Sequence, residues 1–292
     1  EERMNKEKPK VSVCMCSYNC AEHIGEAIES VLAQTMPDFE FIIADDGSTD
    51  GTWDIVRSFK DKRIRAYRLE HDYIRSLNFS LRKSRGEYIA RMDNDDVMHP
   101  DRLRLQTEVM EAYPETAVCS SWADMFGEKQ GETGRGDGPI AEPYWTLALG
   151  NFVIHPSSMI RRDFIRQHRI RYKSGYSYAE DYKLWSDIAR KGGRFHVIPR
   201  PLLRYRISRS QITNSHRDEQ EATRLLIEQE IIESLIRQSR HPDRRKAASL
   251  FRTLSYLNQN SLIGGNTVIS ILFRLLANMK AQEKGTDAPS PD

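Results

Sequence analysis

Several features that would place the protein in other classes are missing from the sequence. It has no apolar run of about 20 residues and no signal peptide, so we expect neither a transmembrane helix nor export. Its 44 basic and 42 acidic residues leave a net charge of only +2, which gives no reason to expect nucleic acid as a partner. The 4 cysteines lack the second ligand pair of a zinc site, and we expect them to be free, buried thiols. These absences predict a cytoplasmic protein.

What is present is enough material for a large core. The 292 residues correspond to one large domain or two coupled halves, and 39% of them are hydrophobic. Up to residue 92 the chain alternates between short apolar runs and segments with helical spacing of their apolar residues. The predicted strands cover residues 11–16, 39–44, 64–69 and 87–92, and the predicted helices cover residues 22–34, 52–60 and 76–84. This alternation predicts an α/β protein whose parallel sheet is covered on both faces by helices.

Polar side chains follow three of these strands at the points where the strands end. The three clusters are Ser17-Tyr18-Asn19, Asp45-Asp46 and Asp93-Asn94-Asp95. In open α/β sheets ligands bind outside the carboxyl ends of the strands, so we expect the three clusters to share one crevice. Each cluster alone is compatible with an ordinary turn. Together they favour a site for a nucleoside diphosphate with a metal ion.

The stretch from Tyr88 to Asp96 ends in three carboxylates within four residues. Like charges so close together repel each other, and a bound divalent cation would offset the repulsion. Carboxylate oxygens are hard ligands that suit Mg²⁺ or Mn²⁺, and the other positions of such an ion can bind phosphate oxygens. The alternative interpretation is a solvated acidic turn in which Asn94 or Asp96 caps the following helix. The two other polar clusters favour the metal.

The motifs around these clusters resemble those of family 2 glycosyltransferases. In chain order they are Val13-x-x-Cys16-Ser17-Tyr18-Asn19, Asp45-Asp46-Gly47-Ser48-Thr49-Asp50-Gly51-Thr52, Gly86-Glu87-Tyr88-Ile89-Ala90-Arg91-Met92-Asp93-Asn94-Asp95-Asp96, Tyr178-Ala179-Glu180-Asp181-Tyr182-Lys183-Leu184-Trp185 and Leu203-Arg204-Tyr205-Arg206. The resemblance covers about residues 9–215, and the motifs are ordered and correctly spaced. It implies a GT-A (Rossmann-like) fold with a mostly parallel sheet flanked by helices. It also implies a UDP-sugar-type donor, Mn²⁺ or Mg²⁺, and inversion at the anomeric carbon.

The resemblance implies roles for individual residues on the donor side. Asp46 matches the residue that binds the nucleoside base, and Asp93 and Asp95 match the metal-binding pair, with Asp95 the more direct ligand. The full set expected to contact the donor is Ser17, Tyr18, Asn19, Asp46, Asn78, Arg91, Asp93 and Asn94. The chain departs from the family at Ser76-Leu77-Asn78, where many members have Ala-Arg-Asn. The nucleotide-contacting arginine is therefore absent, and whether Arg75 replaces it is open.

On the acceptor side, Asp181 matches the catalytic base. Its neighbour Glu180 is the rival, because adjacent side chains on a helix point about 100° apart. Their alternative role is to complement the dipole at the start of a helix predicted from Tyr178 to Arg190. The residues that could contact the acceptor or the phosphates are His155, Glu180, Arg206 and His216. Some relatives have Tyr-Arg-x-His where this chain has Tyr205-Arg206-Ile207-Ser208, so the role of that histidine is either vacant or passes to His216.

Three regions are expected along the chain. Residues 1–105 form the nucleotide-sugar-binding half, residues 106–215 the acceptor-binding half, and residues 216–292 a C-terminal helical region with a disordered tail. The glycine-rich residues 131–138 predict a mobile loop. The C-terminal helices are predicted over residues 219–238, 245–258 and 267–279. Packing on the catalytic domain, a homodimer contact and peripheral binding at the inner membrane are all open for their apolar stripes, and we expect assembly or docking rather than chemistry.

Taken with the resemblance, these observations predict a metal-dependent inverting glycosyltransferase. It would move a hexose or N-acetylhexosamine from a nucleotide-sugar donor to a hydroxyl of a growing surface glycan, such as lipooligosaccharide, O-antigen or capsule. The expected acceptor is a glycan or a lipid-linked glycan. A nucleotidyltransferase is an alternative, but it would carry a Gly-rich, basic loop at Ser17-Tyr18-Asn19-Cys20. A catalytically silent nucleotide-sugar-binding module is another alternative, and the carboxylates at Asp46, Asp93, Asp95 and Asp181 argue against it.

Overall fold

A ten-stranded sheet flanked by helices organises residues 8–208, 216–239, 241–259 and 264–286, the part of the chain that this computed structural model describes. The first half contains β1 (Val11–Ser17), α1 (Ile24–Leu32), β2 (Phe39–Asp45), α2 (Thr52–Ser58), β3 (Ile64–Arg68), α3 (Tyr73–Lys83) and β4 (Tyr88–Met92). The second half contains β5 (Val97–Met98), α4 (Arg102–Ala112), β6 (Thr116–Gly127), β7 (Gly131–Thr133), β8 (Gly138–Ile140), α5 (Pro143–Leu147), a 3₁₀ turn (His155–Ser157), β9 (Met159–Arg161), α6 (Arg162–Gln167), α7 (Glu180–Arg190) and β10 (Arg194–Ile207). The C-terminal region contains α8 (Arg217–Gln238), α9 (Arg244–Gln259) and α10 (Gly265–Thr286).

The strand order is β3-β2-β1-β4-β9-β6-β10-β5. β1 pairs in parallel with β2 and β4, and β2 pairs in parallel with β3. β9 runs antiparallel to both β4 and β6, so β6 points in the same direction as β4, and β10 is parallel to β6. The carboxyl ends of β1, β2, β4, β6 and β10 therefore lie along one edge of the sheet. The predicted α/β fold with a mostly parallel sheet flanked by helices is confirmed.

The first strands and helices form because their apolar residues follow the expected periods. Every residue of β1 and β2 is buried, which is typical of parallel strands that are covered on both faces. α1 buries Ile24, Ala27, Ile28 and Val31, which lie on one face of the helix. This packing leaves the polar strand ends as the accessible edge of the sheet.

The structure corrects the expectation of a loop at residues 131–138 and shows a long strand that was not predicted. The glycine-rich residues 131–138 contain β7, and β8 begins at residue 138; these strands pair with β6 and β10. β6 runs from Thr116 to Gly127. β10 was not predicted as a strand, because Pro199 and Pro201 interrupt its pattern; the structure accommodates these residues with register shifts against β6.

The first two C-terminal helices begin and end within two residues of the predicted positions, whereas α10 continues to Thr286, seven residues beyond its predicted end. Residues of α8, such as Ile227 and Ile231, share one hydrophobic cluster with Trp185 of α7. Packing on the catalytic domain is therefore one use of the predicted apolar stripe of α8. In the part of the chain that is described, none of the helices has the length and hydropathy needed to cross a membrane. The division of the chain at residues 105 and 215 stays a prediction.

Candidate active site

A tight turn after β2 joins the carboxyl ends of β1 and β2. The Oδ1 atom of Asn19 accepts a hydrogen bond from the backbone N–H of Thr49 at 2.8 Å, and the N–H of Asn19 donates to the Ser48 hydroxyl at 3.1 Å. The Ser48 hydroxyl in turn donates to the buried Asp45 carboxylate. Gly47 has a φ of +77°, in the left-handed region that glycine adopts without strain. The protein's own hydrogen bonds thus hold this edge of the crevice.

Asp46 is buried behind this turn and holds the start of α3. Its Oδ1 atom accepts hydrogen bonds from the Ser76 hydroxyl at 2.6 Å and from the backbone N–H of Asp72 at 2.9 Å. The Nδ1 atom of His71 lies 3.0 Å from Oδ2, but its hydrogen bond is to the backbone oxygen of Asp46 at 3.1 Å. Oδ2 has no hydrogen bond within the described residues. The exposed ring of Tyr18 stacks on His71 with 4.2 Å between the ring centroids.

Two further members of the predicted donor set lie close to this turn. The Ser17 hydroxyl is buried and donates to Oδ1 of Asp45 at 3.5 Å. The backbone oxygen of Asn94 accepts a hydrogen bond from the Cys20 thiol at 3.4 Å, which ties the turn after β1 to the turn after β4. All 4 cysteines are free, as predicted, although Cys20 is only half-buried.

Asn78 holds a distant loop. Its Nδ2 atom donates to the backbone oxygen of Tyr172 at 2.9 Å, and its Oδ1 atom accepts from the N–H of the same residue at 3.0 Å. The amide keeps one N–H group and one lone pair, so its contact with the donor stays a prediction. Arg75 pairs with the exposed Glu70 at 3.3 Å. No observation therefore places Arg75 in the role of the missing family arginine.

Arg91 faces the first carboxylate of the acidic turn. An Nη2–Oδ1 distance of 2.6 Å joins Arg91 to Asp93, and Nη1 donates to the backbone oxygens of Cys14 and Met92. Burial acts to lower the pKa of Arg91, but the charge of Asp93 and other nearby groups outweighs it and holds the pKa well above its ordinary value. Arg91 therefore stays charged and offsets part of the negative charge of the turn.

Arg206 of β10 supports the same turn from the other side. Its backbone N–H donates to Oδ1 of the buried Asp96 at 2.8 Å, and its Nε atom donates to the backbone oxygen of Asp95 at 2.7 Å. Its Nη2 atom lies 2.5 Å from a carboxylate oxygen of Glu26. Burial, followed by the charges of Asp93 and Asp95, raises the pKa of Asp96 well above its ordinary value. In each of the two hydrogen bonds between Arg206 and the turn, one of the two atoms belongs to the backbone.

Asp181 and Glu180 form the first turn of α7. Burial raises the pKa of Asp181 to about 6. Two hydrogen bonds to its carboxylate act in the opposite direction and lower the pKa: one from the backbone N–H of Tyr182 and one from Nδ2 of Asn151, which lies 3.1 Å from Oδ2. The charge of Asp93 acts in the raising direction. Burial and then the charge of Asp181 raise the pKa of Glu180 to about 7. Two carboxylates with pKa values near neutrality therefore stand at one helix start.

Two tyrosines, Tyr205 and Tyr73, have raised pKa values to which carboxylates of the predicted site contribute, and sequence analysis gave neither of them a role. Burial is the main cause that raises the pKa of Tyr205 well above its ordinary value, and carboxylate charges add to it. Those charges are on Asp93, Asp96, Asp95 and Asp181. Burial raises the pKa of Tyr73 in the same way, and the groups that act on it include Arg91, Asp93 and Glu180. Charges that are far apart in sequence thus act on the same two side chains.

His155 lies in a buried aromatic cluster. Its Nε2 atom is 2.8 Å from the Tyr172 hydroxyl, and its ring meets Trp185 edge to face at 6.0 Å between centroids. Burial and then the charge of Arg91 hold the pKa of His155 well below its ordinary value, so the ring is neutral. Trp185 is fully buried in the hydrophobic core.

A pocket of about 430 Å³ opens beside Asp181, between the start of α7 and the start of α8. It is lined by Asn151, Tyr178, Ala179, Asp181, Tyr182, Arg217, Gln220, Glu221 and Arg224. His216 stacks on Tyr178, with 4.4 Å between ring centroids and 12° between the ring planes. Sequence analysis missed Asn151 and the contribution of α8. The sequence signal that could have indicated the contribution of α8 is the run of polar residues at the start of this helix.

Comparison with known proteins identifies the family of this chain. The model of the family described as "Glycosyl transferase family 2" matches residues 12–169. An uncharacterized glycosyltransferase of Haemophilus influenzae is 32% identical over 244 residues, which are 77% of this chain and 73% of that protein. The Escherichia coli protein WfaP, named as a UDP-Glc:alpha-D-GlcNAc-diphosphoundecaprenol beta-1,3-glucosyltransferase, is 31% identical over 187 residues, 62% of this chain and 71% of its own.

Solved structures with the same fold include two glycosyltransferases at low sequence identity. Residues 1–349 of S. aureus TarS, crystallised with UDP-GlcNAc, match with a TM-score of 0.63 at 16% identity and cover 94% of this chain and 92% of that one. Against a longer TarS structure the match covers only 53% of that chain. The mannosyltransferase PcManGT of Pyrobaculum calidifontis, with GDP-Man and Mn²⁺, matches with a TM-score of 0.57 at 17% identity and covers 98% of this chain and 77% of that one. These likenesses show the fold.

The family model matches more than half of the residues of this chain. The chain therefore belongs to glycosyl transferase family 2 and is a glycosyltransferase.

Proposed function

We propose that the protein transfers a sugar from a UDP-sugar, with inversion, to a hydroxyl of a growing surface glycan. The observation that carries the proposal is the carboxylate of Asp181, which lines a pocket of about 430 Å³ at the start of α7. Burial raises the pKa of Asp181 to about 6, and the charge of Asp93 in the acidic turn acts in the same direction. An inverting transfer needs one base opposite one bound nucleotide.

The surroundings of Asp46 and Tyr18 support nucleoside binding at the carboxyl ends of β1 and β2. Oδ2 of Asp46 is buried and makes no hydrogen bond within the described residues, so it can accept one from a ring N–H of the base. Buried polar atoms are nearly always hydrogen-bonded. The exposed Tyr18 ring, backed by His71, offers a face on which a base can stack. The UDP-Glc in the name of WfaP and the UDP-GlcNAc of the TarS structure favour uridine as the nucleoside.

The acidic turn fits a divalent ion that also binds the donor diphosphate. Among the residues described, no three His, Cys, Asp or Glu side chains are arranged to hold a metal by themselves. Mg²⁺ sites often use only one or two carboxylates and take their other ligands from water and substrate phosphates. Oδ2 of the buried Asp96 makes no hydrogen bond to a described residue, so this buried oxygen of the turn can accept one from a water bound to the ion. Asp95 and Asp93 would hold Mn²⁺ or Mg²⁺, which when bound stabilises the developing negative charge of the leaving UDP.

Asp181 is the group that would take the proton from the attacking acceptor hydroxyl. Its pKa of about 6 leaves it mostly ionised at neutral pH while keeping it basic enough to accept a proton. Asp181 is part of the lining of the pocket next to α8, and Glu180 is not. We therefore assign the base to Asp181.

The acceptor proposed is a glycan or a lipid-linked glycan. The acceptor in the name of WfaP is a sugar linked through diphosphate to undecaprenol, and another relative, TuaG of Bacillus subtilis, is named for teichuronic acid biosynthesis. A nucleotidyltransferase would act on the phosphate of its substrate, and the family of this chain transfers sugars instead. The carboxylates at Asp46, Asp95 and Asp181 support an active enzyme over a silent binding module.

The proposal is tested by measuring release of UDP from a panel of UDP-sugars with glycan acceptors added. We expect release with Mn²⁺ or Mg²⁺ and at least one UDP-sugar, and loss of release after chelation with EDTA. The anomeric configuration of the product, read by NMR, should be opposite to that of the donor. Activity with GDP-sugars alone would contradict the assignment of uridine, and full activity in EDTA would contradict the metal. Failure of wild-type protein to bind UDP would refute the proposed function.

A further inference from the structure

We infer that the start of α8 forms one wall of the acceptor subsite and that this subsite takes an uncharged sugar residue. The inference rests on the proposed function, since it identifies the ligand that faces Asp181. It also replaces the expectation that the C-terminal helices serve only assembly or docking. Three observations carry it: the attachment of α8 to α7, the conformation of Tyr178, and the charges around the pocket.

α8 is joined to the helix that carries Asp181 by polar bonds as well as by apolar packing. The Nζ atom of Lys183 lies 2.6 Å from a carboxylate oxygen of Glu230, and the Tyr176 hydroxyl donates to the other oxygen at 2.8 Å. Lys183 is nearly buried, and burial strengthens such an ion pair by excluding water. The two helices therefore form one unit, and the pocket between them is a built feature of the fold.

The first turn of α8 also holds Tyr178, which lies just before α7. Tyr178 has a φ of +62°, in the left-handed region that only glycine and a few polar residues adopt readily. The Nε2 atom of Gln220 donates to the backbone oxygen of Tyr178 at 2.9 Å, and His216 stacks on its ring. Sparsely populated backbone conformations persist where surrounding contacts impose them, and they are common at functional sites. Gln220 and His216 are thus positioning residues for the start of α7.

The charges around the pocket indicate an uncharged ligand. Arg224 donates to the carboxylates of Glu221 at 2.6 and 2.8 Å and of Glu228 at 2.5 Å, so its guanidinium is already engaged. The carboxylate of Asp181 faces the same space and repels an anion. Arg217 is exposed and is also part of the lining, so the pocket has two arginines and two carboxylates, Asp181 and Glu221.

The other lining groups suit a sugar ring. Asn151 and Gln220 carry amides that hydrogen-bond with hydroxyl groups, and Tyr178 and Tyr182 supply aromatic surface. The volume of about 430 Å³ is within the range of small-ligand sites. The combination of amides, aromatic rings and paired charges is the chemistry that recognises a neutral sugar.

The test measures binding of three p-nitrophenyl glycosides to the full chain with saturating UDP and Mg²⁺, by saturation-transfer difference NMR. The probes are the β-glucoside, the N-acetyl-β-glucosaminide and the β-glucuronide. We expect at least one neutral glycoside to bind, and the glucuronide to bind at least about 5-fold more weakly because Asp181 repels its carboxylate. Binding of neither neutral glycoside, or a glucuronide that binds equally or more tightly, would overturn the inference.

The contribution of α8 is tested with Gln220→Ala, and with Gln220→Glu, which keeps the size but loses the donor to Tyr178. Each should weaken the neutral glycoside at least about 5-fold, the equivalent of one hydrogen bond, and leave the UDP Kd from calorimetry unchanged. Gln229→Ala makes the same change further along α8, outside the pocket lining, and should alter neither constant. Unchanged glycoside affinity in a folded Gln220 variant, or an equal loss of UDP affinity, would contradict the role of α8. If the wild type fails to bind UDP, it is the proposed function that fails.

Discussion

The donor edge and the acceptor wall of the cleft hold their polar groups in different ways. The donor edge, which comprises the turns after β1, β2 and β4, is tied together by short hydrogen bonds between neighbouring turns, such as Asn19 to Thr49. The acceptor wall, which comprises Asn151, residues 178–182 and the start of α8, contains two carboxylates with raised pKa values, a left-handed tyrosine and an open pocket. The donor edge is organised before ligand binds, while the acceptor wall holds groups whose charge is costly to bury.

The donor edge and the acceptor wall also differ in how much of each the family model covers. The family model covers residues 12–169, which include the whole donor edge and, of the acceptor wall, only Asn151. A donor nucleotide is a shared requirement of such enzymes, whereas acceptors differ between them. We therefore expect substitutions at the donor edge to affect nucleotide binding, and substitutions in the acceptor wall to affect turnover and acceptor choice.

The largest effect is expected for Asp181→Asn, which keeps the shape of the side chain and removes its basic oxygen. Loss of a general base lowers the rate by on the order of 10²–10⁴-fold. The kcat should fall by this factor while the affinity for the UDP-sugar changes little, because the base acts only as the hydroxyl attacks. The matched control is Glu180→Gln at the adjacent position. Near-normal transfer by Asp181→Asn with an inactive Glu180→Gln would reverse the two roles.

On the donor edge, Asp95→Ala should remove the metal-dependent part of UDP binding. Calorimetry with and without Mn²⁺ measures this directly, and in the variant the two titrations should give the same weak affinity. Asp54→Ala, an exposed aspartate on α2, is the control for a general loss of negative charge. An unchanged gain of UDP affinity with Mn²⁺ in Asp95→Ala would show that the ion binds elsewhere.

A smaller effect is expected for Asp46→Asn. The amide places an N–H group where a base donor would approach, and hydrogen bonds to a charged group contribute about 1.5–3 kcal/mol, so UDP affinity should fall by roughly 10- to 100-fold. Because Oδ1 is retained for Ser76 and Asp72, thermal unfolding should change little. The kcat at saturating donor should stay close to that of the wild type. Equal UDP affinity in the two proteins would remove Asp46 from the donor site.

The smallest effect is a shift of the pH profile in Asn151→Leu. The pKa of Asp181 is about 6, so its carboxylate is ionised above that pH, and kcat should fall as the pH drops below about 6. Asn151 donates a hydrogen bond that lowers this pKa, and Leu both removes the bond and adds apolar surface. The acidic limb of kcat should therefore move to higher pH. A limb at the wild-type position would show that another group, such as Glu180, controls it.

The donor edge could be predicted from sequence to a large extent, because its motifs are contiguous. The strand ends at Ser17, Asp45 and Met92 follow from short apolar runs, and the polar clusters come directly after them. The role of Asn78 could not be predicted, since its partner Tyr172 is distant in the chain. His71 and Ser76 were missed for a similar reason: neither belongs to a strand-end cluster, and both reach Asp46 through the fold.

The acceptor wall was only partly predictable. Asp181 was identified from its motif, but Asn151, which holds it, carries no local signal. The roles of Asp46, Asp93, Asp95 and Asp181 in catalysis stay predictions. The pocket itself depends on two helices that lie far apart in sequence, and helical periodicity indicates that a face is buried without indicating against what.

The sequence by itself determined the alternation of strands and helices, the polar strand ends and the membership of the family, because each of these depends on the order of neighbouring residues. Tertiary structure alone decided that Arg206 supports the acidic turn, that Asn78 holds a loop, and that Gln220 of α8 reaches the residue before α7. These are contacts between side chains and backbone groups that only the folded chain brings within hydrogen-bond distance. The raised pKa of Asp181 also depends on the tertiary structure, because burial and charges that are distant in sequence cause it.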